Sequence, residues 1–159
     1  MASTLELLRR LSQAKVEFVL VGGMAAIVHG SAAVTEDVDV CIRFDHETLD
    51  GVLKALAPVQ PRERMNAARA PLGVDASRFV GNKNLYVVTT EGVIDFLGHI
   101  IAIGDFDAVR AESDELQLGG FSCRVLSLSA LIRCKRALAR PKDLRVAVEL
   151  EAVQRRLKP

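Results

Sequence analysis

The chain has 159 residues, half of them hydrophobic and 26% charged, with a net charge of +1; this suits one packed domain and excludes wholesale disorder. No run approaches the 18 consecutive apolar residues of a membrane span, and a lack of Trp with a single Tyr argues against a stacking platform for single-stranded nucleic acid. Cys41, Cys123 and Cys134 form no close metal-type pair, Cys41 reads as a buried small hydrophobe, and no signal-peptide pattern is present, so a reducing cytoplasm is the expected setting.

In chain order, Ser3 and Glu6 have capping-box spacing before a helix with an apolar stripe at Leu5, Leu8 and Leu11. Val16 to Val21 reads as a buried strand, broken by Gly22-Gly23 and followed by a short helix from Met24 to His29. Thr35 to Phe44 alternates, with Asp37 and Asp39 on one face and Val38, Val40 and Ile42 on the other. Asp45 then caps a helix through Leu49, Val52, Leu53 and Leu56 that Pro58 ends. Residues 58–83 are punctuated by Pro61, Pro71, Gly73 and Gly81, with a short helix expected between the two prolines.

Asn84 to Thr90 and Val93 to Leu97 form a predicted hairpin around Glu91-Gly92, and 114–118 with 121–126 a second around Gly119-Gly120. Ser127 or Ser129 starts one helix and Pro141 the next, which runs to the end. The expected fold is therefore a single α+β domain over 1–159, a mixed β-sheet flanked by helices. Its catalytic sheet core falls at about 1–110, and a hairpin and helical pair at about 111–159. Residues 133–158 carry nine basic and three acidic side chains, a local +6 that leaves the rest at −5. Such a segment either draws a polyanion or is a solvated helix face.

The chemistry concentrates around Asp37-Val38-Asp39-Val40. Two carboxylates at i and i+2 of a strand project from one face and repel each other unless a cation or proton lies between them. A hard divalent ion resolves that repulsion, and Mg²⁺ (or Mn²⁺) typically takes one or two carboxylates plus substrate phosphates. Asp95 interrupts the apolar run Val93-Ile94-Asp95-Phe96-Leu97, where a charge is costly unless compensated. If its strand lies beside the first, three carboxylates converge, enough for a two-metal site. Gly22-Gly23 at a strand-to-helix turn lets phosphate oxygens approach backbone N–H groups, and Ser31 and Thr35 offer hydroxyls. His29, His46 and His99 are scattered and read as structural or surface residues. Neither a dinucleotide fingerprint nor a Walker A loop is present.

Gly22-Gly23, thirteen intervening residues and Asp37-Val38-Asp39-Val40, with Asp95 as third carboxylate, resemble the signature of the polymerase-β-like nucleotidyltransferase superfamily. Leu126 to Leu144, with Lys135 and Arg140-Pro141-Lys142-Asp143-Leu144, is similar to the C-terminal part of its AbiEii/MenT-like branch, many of whose members are toxins of toxin–antitoxin pairs. The resemblance implies transfer of a nucleoside monophosphate from a nucleoside triphosphate to an acceptor hydroxyl on an RNA or tRNA end, a protein or a small molecule. Asp37 and Asp39 would bind both metals, and Asp95 would bind one and help deprotonate the acceptor. Lys135 and Lys142 would contact phosphates, and an antitoxin protein becomes a candidate partner. The chain departs from the pattern at Gly23, often Ser, and at Ala33, often basic. The alternative is therefore a catalytically inactive interaction or nucleotide-sensing module on the same fold.

Overall fold

A computed structural model describes residues 2–159. The chain opens with helix α1 (Ala2–Gln13), which starts ahead of Ser3, so Ser3 lies inside the helix rather than capping it. Leu7, Leu8 and Leu11 bury its inner face. Lys15 takes a positive φ of 58°, and the Val16 N–H turns back to the Leu11 carbonyl. That closure uses the start of the expected strand, and β1 is only Val19–Val21. Helix α2 (Gly22–Val28) then begins on the glycines themselves rather than after them.

Strand β2 (Asp37–Cys41) keeps Val38 and Val40 fully buried and Asp37 and Asp39 half-buried, as alternation requires. Helix α3 (His46–Leu56) is capped by the Asp45 carboxylate, which accepts from the Thr48 N–H. Between Pro61 and Pro71 there is no helix. Strand β3 (Arg62–Glu63) runs there instead, joined to Pro71 by an isolated bridge, and the short 3₁₀ turn comes later, at Ala76–Arg78. The prolines bound an edge strand because each lacks an N–H for a central ladder.

The predicted hairpins form as β4 (Asn84–Thr89) with β5 (Gly92–Leu97), and, further along, β8 (Ser113–Leu118) with β9 (Phe121–Leu126). The stretch between them holds three elements that no sequence signal marked: β6 (His99–Ile100), β7 (Gly104–Asp105) and helix α4 (Phe106–Ala111). Helix α5 (Leu128–Leu138) takes Ser127 as its cap, and α6 (Pro141–Leu157) starts on Pro141.

Seven strands form one mixed sheet in the order β3-β4-β5-β2-β1-β9-β8. β2 is parallel to β5 and antiparallel to β1, which is parallel to β9. Helix α1 packs on α3 and β5, while α2 packs on β1, β2 and α5. The architecture is thus the expected α+β mixed sheet flanked by helices. The order places β2 in the middle of the sheet, so whatever its polar face carries is held rigidly. No described helix is long and apolar enough to cross a membrane.

Candidate active site

The parallel register between β2 and β5 pairs Asp39 with Asp95 and Asp37 with Val93. Directly paired residues project to the same side, so Asp39 and Asp95 are neighbours, with Asp37 one pleat away on that face. Their mutual repulsion is legible in the titration of Asp39. Burial first, and then the charges of Asp95 and Asp37, push its carboxyl up to about 6. Burial also raises Asp95, against the opposing pull of a hydrogen-bonded arginine.

That arginine is Arg64, which follows β3 in the segment least legible from sequence. One of its guanidinium nitrogens, Nη2, donates to both Asp95 oxygens at 2.7 Å. The guanidinium lies over the Tyr86 ring, 5.4 Å from its centroid, and Tyr86 pairs with Asp95 across the hairpin. Among the described residues, no three His, Cys, Asp or Glu side chains are placed to hold a metal ion together. The third carboxylate is engaged by a cation that the protein itself supplies. This leaves Asp37 and Asp39 as the carboxylates of the cluster that would hold a divalent ion.

The glycine turn meets this cluster. Gly22 has φ +66°, a conformation side chains rarely adopt, and a Cβ there would collide with Asp39 Oδ2. The absence of a side chain lets the Asp39 carboxylate lie against the first turn of α2. Gly23 plays a different part: a Cβ at that position would come within 3.1 Å of the Thr35 side chain. Thr35 donates its hydroxyl to the Asp37 carbonyl at 3.1 Å, bracing the start of β2.

A cavity of about 420 Å³ opens beside Asp39. Gly22, Lys135 and Arg140 contribute to its polar wall, and Ile100, Ile101, Leu131 and Leu138 to its apolar one. A larger cavity, about 690 Å³, is lined by Arg43, Phe44, Lys83 and Asp107 among others, and none of the three aspartates reaches it. Lys135 is buried, and its Nζ donates to Asp143 at 3.0 Å. Asp143 is fully buried and also accepts from Arg140. Burial works against its charge, but the hydrogen bonds from Arg140 and Lys135 together hold its carboxyl below the usual range. One buried aspartate thus fixes two cations at the cavity wall.

Of the residues singled out from sequence, Gly22, Asp39 and Lys135 share this cavity, with Asp37 and Asp95 on the same sheet face. Ser31 and Lys142 do not join them. The Ser31 hydroxyl donates to Glu149 at 2.9 Å, and Glu149 also accepts from the Ala32 N–H, tying the loop before β2 to α6. Lys142 is exposed on the first turn of α6. His29 is structural, donating from Nε2 to the Leu126 carbonyl at 2.8 Å, whereas exposed His99 lies on the rim of both cavities. Sequence reasoning missed Arg64, which nothing in 58–83 distinguishes from Arg62 or Arg69.

Comparison with protein-family models gives no match, and comparison with curated protein sequences finds no relative. Solved structures do resemble the chain. A Thermotoga maritima protein assigned as a nucleotidyltransferase superposes with a TM-score of 0.56 at 15% identity, covering 91% of this chain and 90% of that one. ANT(2'')-Ia, solved in complex with adenylyl-2''-tobramycin, gives 0.57 at 11% identity, covering 93% and 90%. An antigenic nucleotidyltransferase-like protein from Paracoccidioides brasiliensis gives 0.53 at 17% identity, covering 93% and 72%. The chain has the nucleotidyltransferase fold.

Proposed function

We propose that the chain is a nucleotidyltransferase dependent on Mg²⁺ or Mn²⁺, moving a nucleoside monophosphate from a nucleoside triphosphate to an acceptor hydroxyl. The observation that carries this reading is the register that sets Asp39 against Asp95, with Asp37 on the same face. In the reaction the acceptor oxygen bonds to the α-phosphorus, the bond from that phosphorus to the bridging oxygen breaks, and pyrophosphate leaves with the electron pair. Asp95 takes the hydroxyl proton. Asp37 and Asp39 would hold the divalent ion, which would neutralise charge on the triphosphate. Lys135 and Arg140, both fixed by Asp143, would contact the phosphates, Lys135 as a compact point charge. Gly22 leaves the backbone open to close approach, and the apolar wall of Ile100, Ile101, Leu131 and Leu138 suits a base or an acceptor ring.

The acceptor is an RNA or tRNA end, a protein hydroxyl or a small hydroxylated molecule. The exposed basic side chains of α6 favour the first. The adenylylated tobramycin bound by ANT(2'')-Ia brings the last into the panel. The AbiEii/MenT-like resemblance adds a toxin role with an antitoxin partner, for which growth arrest on expression, relieved by Asp39→Asn, is the expected sign. The second reading, a catalytically inactive interaction or nucleotide-sensing module on the same fold, would rest on the engagement of Asp95 by Arg64.

Calorimetry of each of the four nucleoside triphosphates with Mg²⁺, on wild type, Asp37→Asn and Asp39→Asn, separates these readings from a mere likeness of fold. The expected result is binding that needs both the ion and the two aspartates. A folded wild type that binds no nucleotide contradicts the transferase and the nucleotide-sensing readings and leaves the interaction module.

A further inference from the structure

Arg64 is held too firmly to be a stray surface side chain. Its backbone N–H donates to the Tyr86 carbonyl at 2.9 Å, immediately after the Glu63–Val87 pairing of β3 with β4. β4 in turn pairs with β5 so that Tyr86 lies opposite Asp95. Three adjacent strands therefore fix where the guanidinium reaches, and the Tyr86 ring supports it from one side. Its Nη2 meets Asp95, which the register sets beside Asp39 with Asp37 on the same face. Arg64 Nε is buried without a hydrogen-bond partner, the one such side-chain nitrogen or oxygen among the described residues. A buried N–H left unpaired costs free energy, which the two bonds from Nη2 to the Asp95 carboxylate offset.

We propose that Arg64 is a built-in second cation: it takes the place on Asp95 that a second divalent ion would occupy, so the site works with one ion, held on Asp37 and Asp39. This rests on the nucleotidyl-transfer reading above. Charge supports it, since three carboxylates are balanced by one guanidinium and one divalent ion. Chemistry supports it too. Asp95 offers both oxygens to one nitrogen at 2.7 Å, and an ion entering there would have to break these bonds. Arg64 thereby sets the metal stoichiometry.

The test counts ions directly. Crystals of wild type, Arg64→Gln, Arg64→Lys and Arg64→Gln/Asp95→Asn are grown with MnCl₂ and the α,β-methylene analogues of the four nucleoside triphosphates, and Mn²⁺ is located by anomalous scattering. Wild type and Arg64→Lys should each show one Mn²⁺ peak beside Asp39. Arg64→Gln should gain a second on Asp95, lost again in the double variant. Because Gln keeps much of the arginine's shape without charge, circular dichroism and a melting curve establish that the variant is folded before ions are counted. If Arg64→Gln unfolds, the wild-type and Arg64→Lys counts decide alone. Two peaks in wild type, with Arg64 swung off Asp95, or an unchanged single peak in folded Arg64→Gln, overturn the assignment while leaving nucleotidyl transfer intact. A wild type that takes the nucleotide analogue with no Mn²⁺ at all overturns the metal-dependent reading itself, and this inference with it.

Discussion

At Asp39 the carboxylate is half-buried and stands beside Asp95 and near Asp37, and these pressures hold it up to about 6 against an ordinary 3.8. A carboxyl raised in the folded state binds its proton more tightly there than in the unfolded chain. Its favourable contribution is therefore complete below about pH 4 and is lost as pH rises through 6. A rise from 3.8 to about 6, discounted for solvent screening, corresponds to about 1–2 kcal/mol. In the ion-free protein, Asp39→Asn should accordingly raise stability at pH 8 by about 1 kcal/mol and give no gain at pH 4, as read by urea denaturation. A variant destabilised equally at both pH values would contradict the assigned repulsion. Gly22 makes a second residue-scale case. Gly22→Ala combines a positive φ with a collision against Asp39, so it should cost about 1–3 kcal/mol. Triphosphate affinity in calorimetry should fall with it, and an alanine accepted without loss of either would show that the close approach is not required.

Among the elements, α5 and α6 are joined by a buried charge network rather than by apolar contact alone. Lys135 on α5 and Arg140 before α6 both end on Asp143, which is fully buried. Removing Asp143 leaves a buried ammonium without a partner, so Asp143→Ala should lose roughly 3 kcal/mol in urea unfolding, and Asp143→Asn less. A loss below about 0.5 kcal/mol would show the network to be dispensable. What the sequence made legible follows from the same physics. β2 and β5 were readable because alternation is a local property, and Val38, Val40, Ile94 and Phe96 declare their buried face whatever lies beside them. Asp143 suited a helix's first turn on dipole grounds, which concealed its burial. Arg64 was unreadable because its role depends on β3 lying beside β4, a pairing two residues long with no periodicity of its own. The β6, β7 and α4 stretch was unassigned for a similar reason, since each element is too short to show a repeat.

For the molecule as a whole, the basic C-terminal segment is less of a polyanion-binding surface than its composition suggests. Arg133 pairs with Glu112, Arg136 with Glu151, and Arg140 with Asp143. Lys142, Arg145, Arg155 and Arg156 make no ion pair among the described residues and form the remaining positive surface of α6. If RNA is the acceptor, its affinity should fall with salt at a log–log slope of about −1 to −3, set by those few charges. Arg155→Glu with Arg156→Glu should then weaken tRNA binding by about tenfold or more while leaving triphosphate binding unchanged. Salt-independent binding would turn the search toward small hydroxylated acceptors. The sheet order gives the wider reason the site is rigid. β2 lies between β5 and β1, so the acidic face has paired backbone on both sides, and β9 and β8 extend the sheet beyond β1.

Whether the acidic face of β2 and β5 performs nucleotidyl transfer is tested most directly by label transfer. Each α-labelled nucleoside triphosphate is incubated with Mg²⁺, the protein and a panel of tRNA, protein and small hydroxylated acceptors, in parallel with Asp39→Asn. Label should appear on one acceptor class, with release of pyrophosphate, and should fall by a factor of about 10³ or more in a variant that melts no lower than wild type. Transfer that survives Asp39→Asn at the wild-type rate would contradict the role given to these carboxylates.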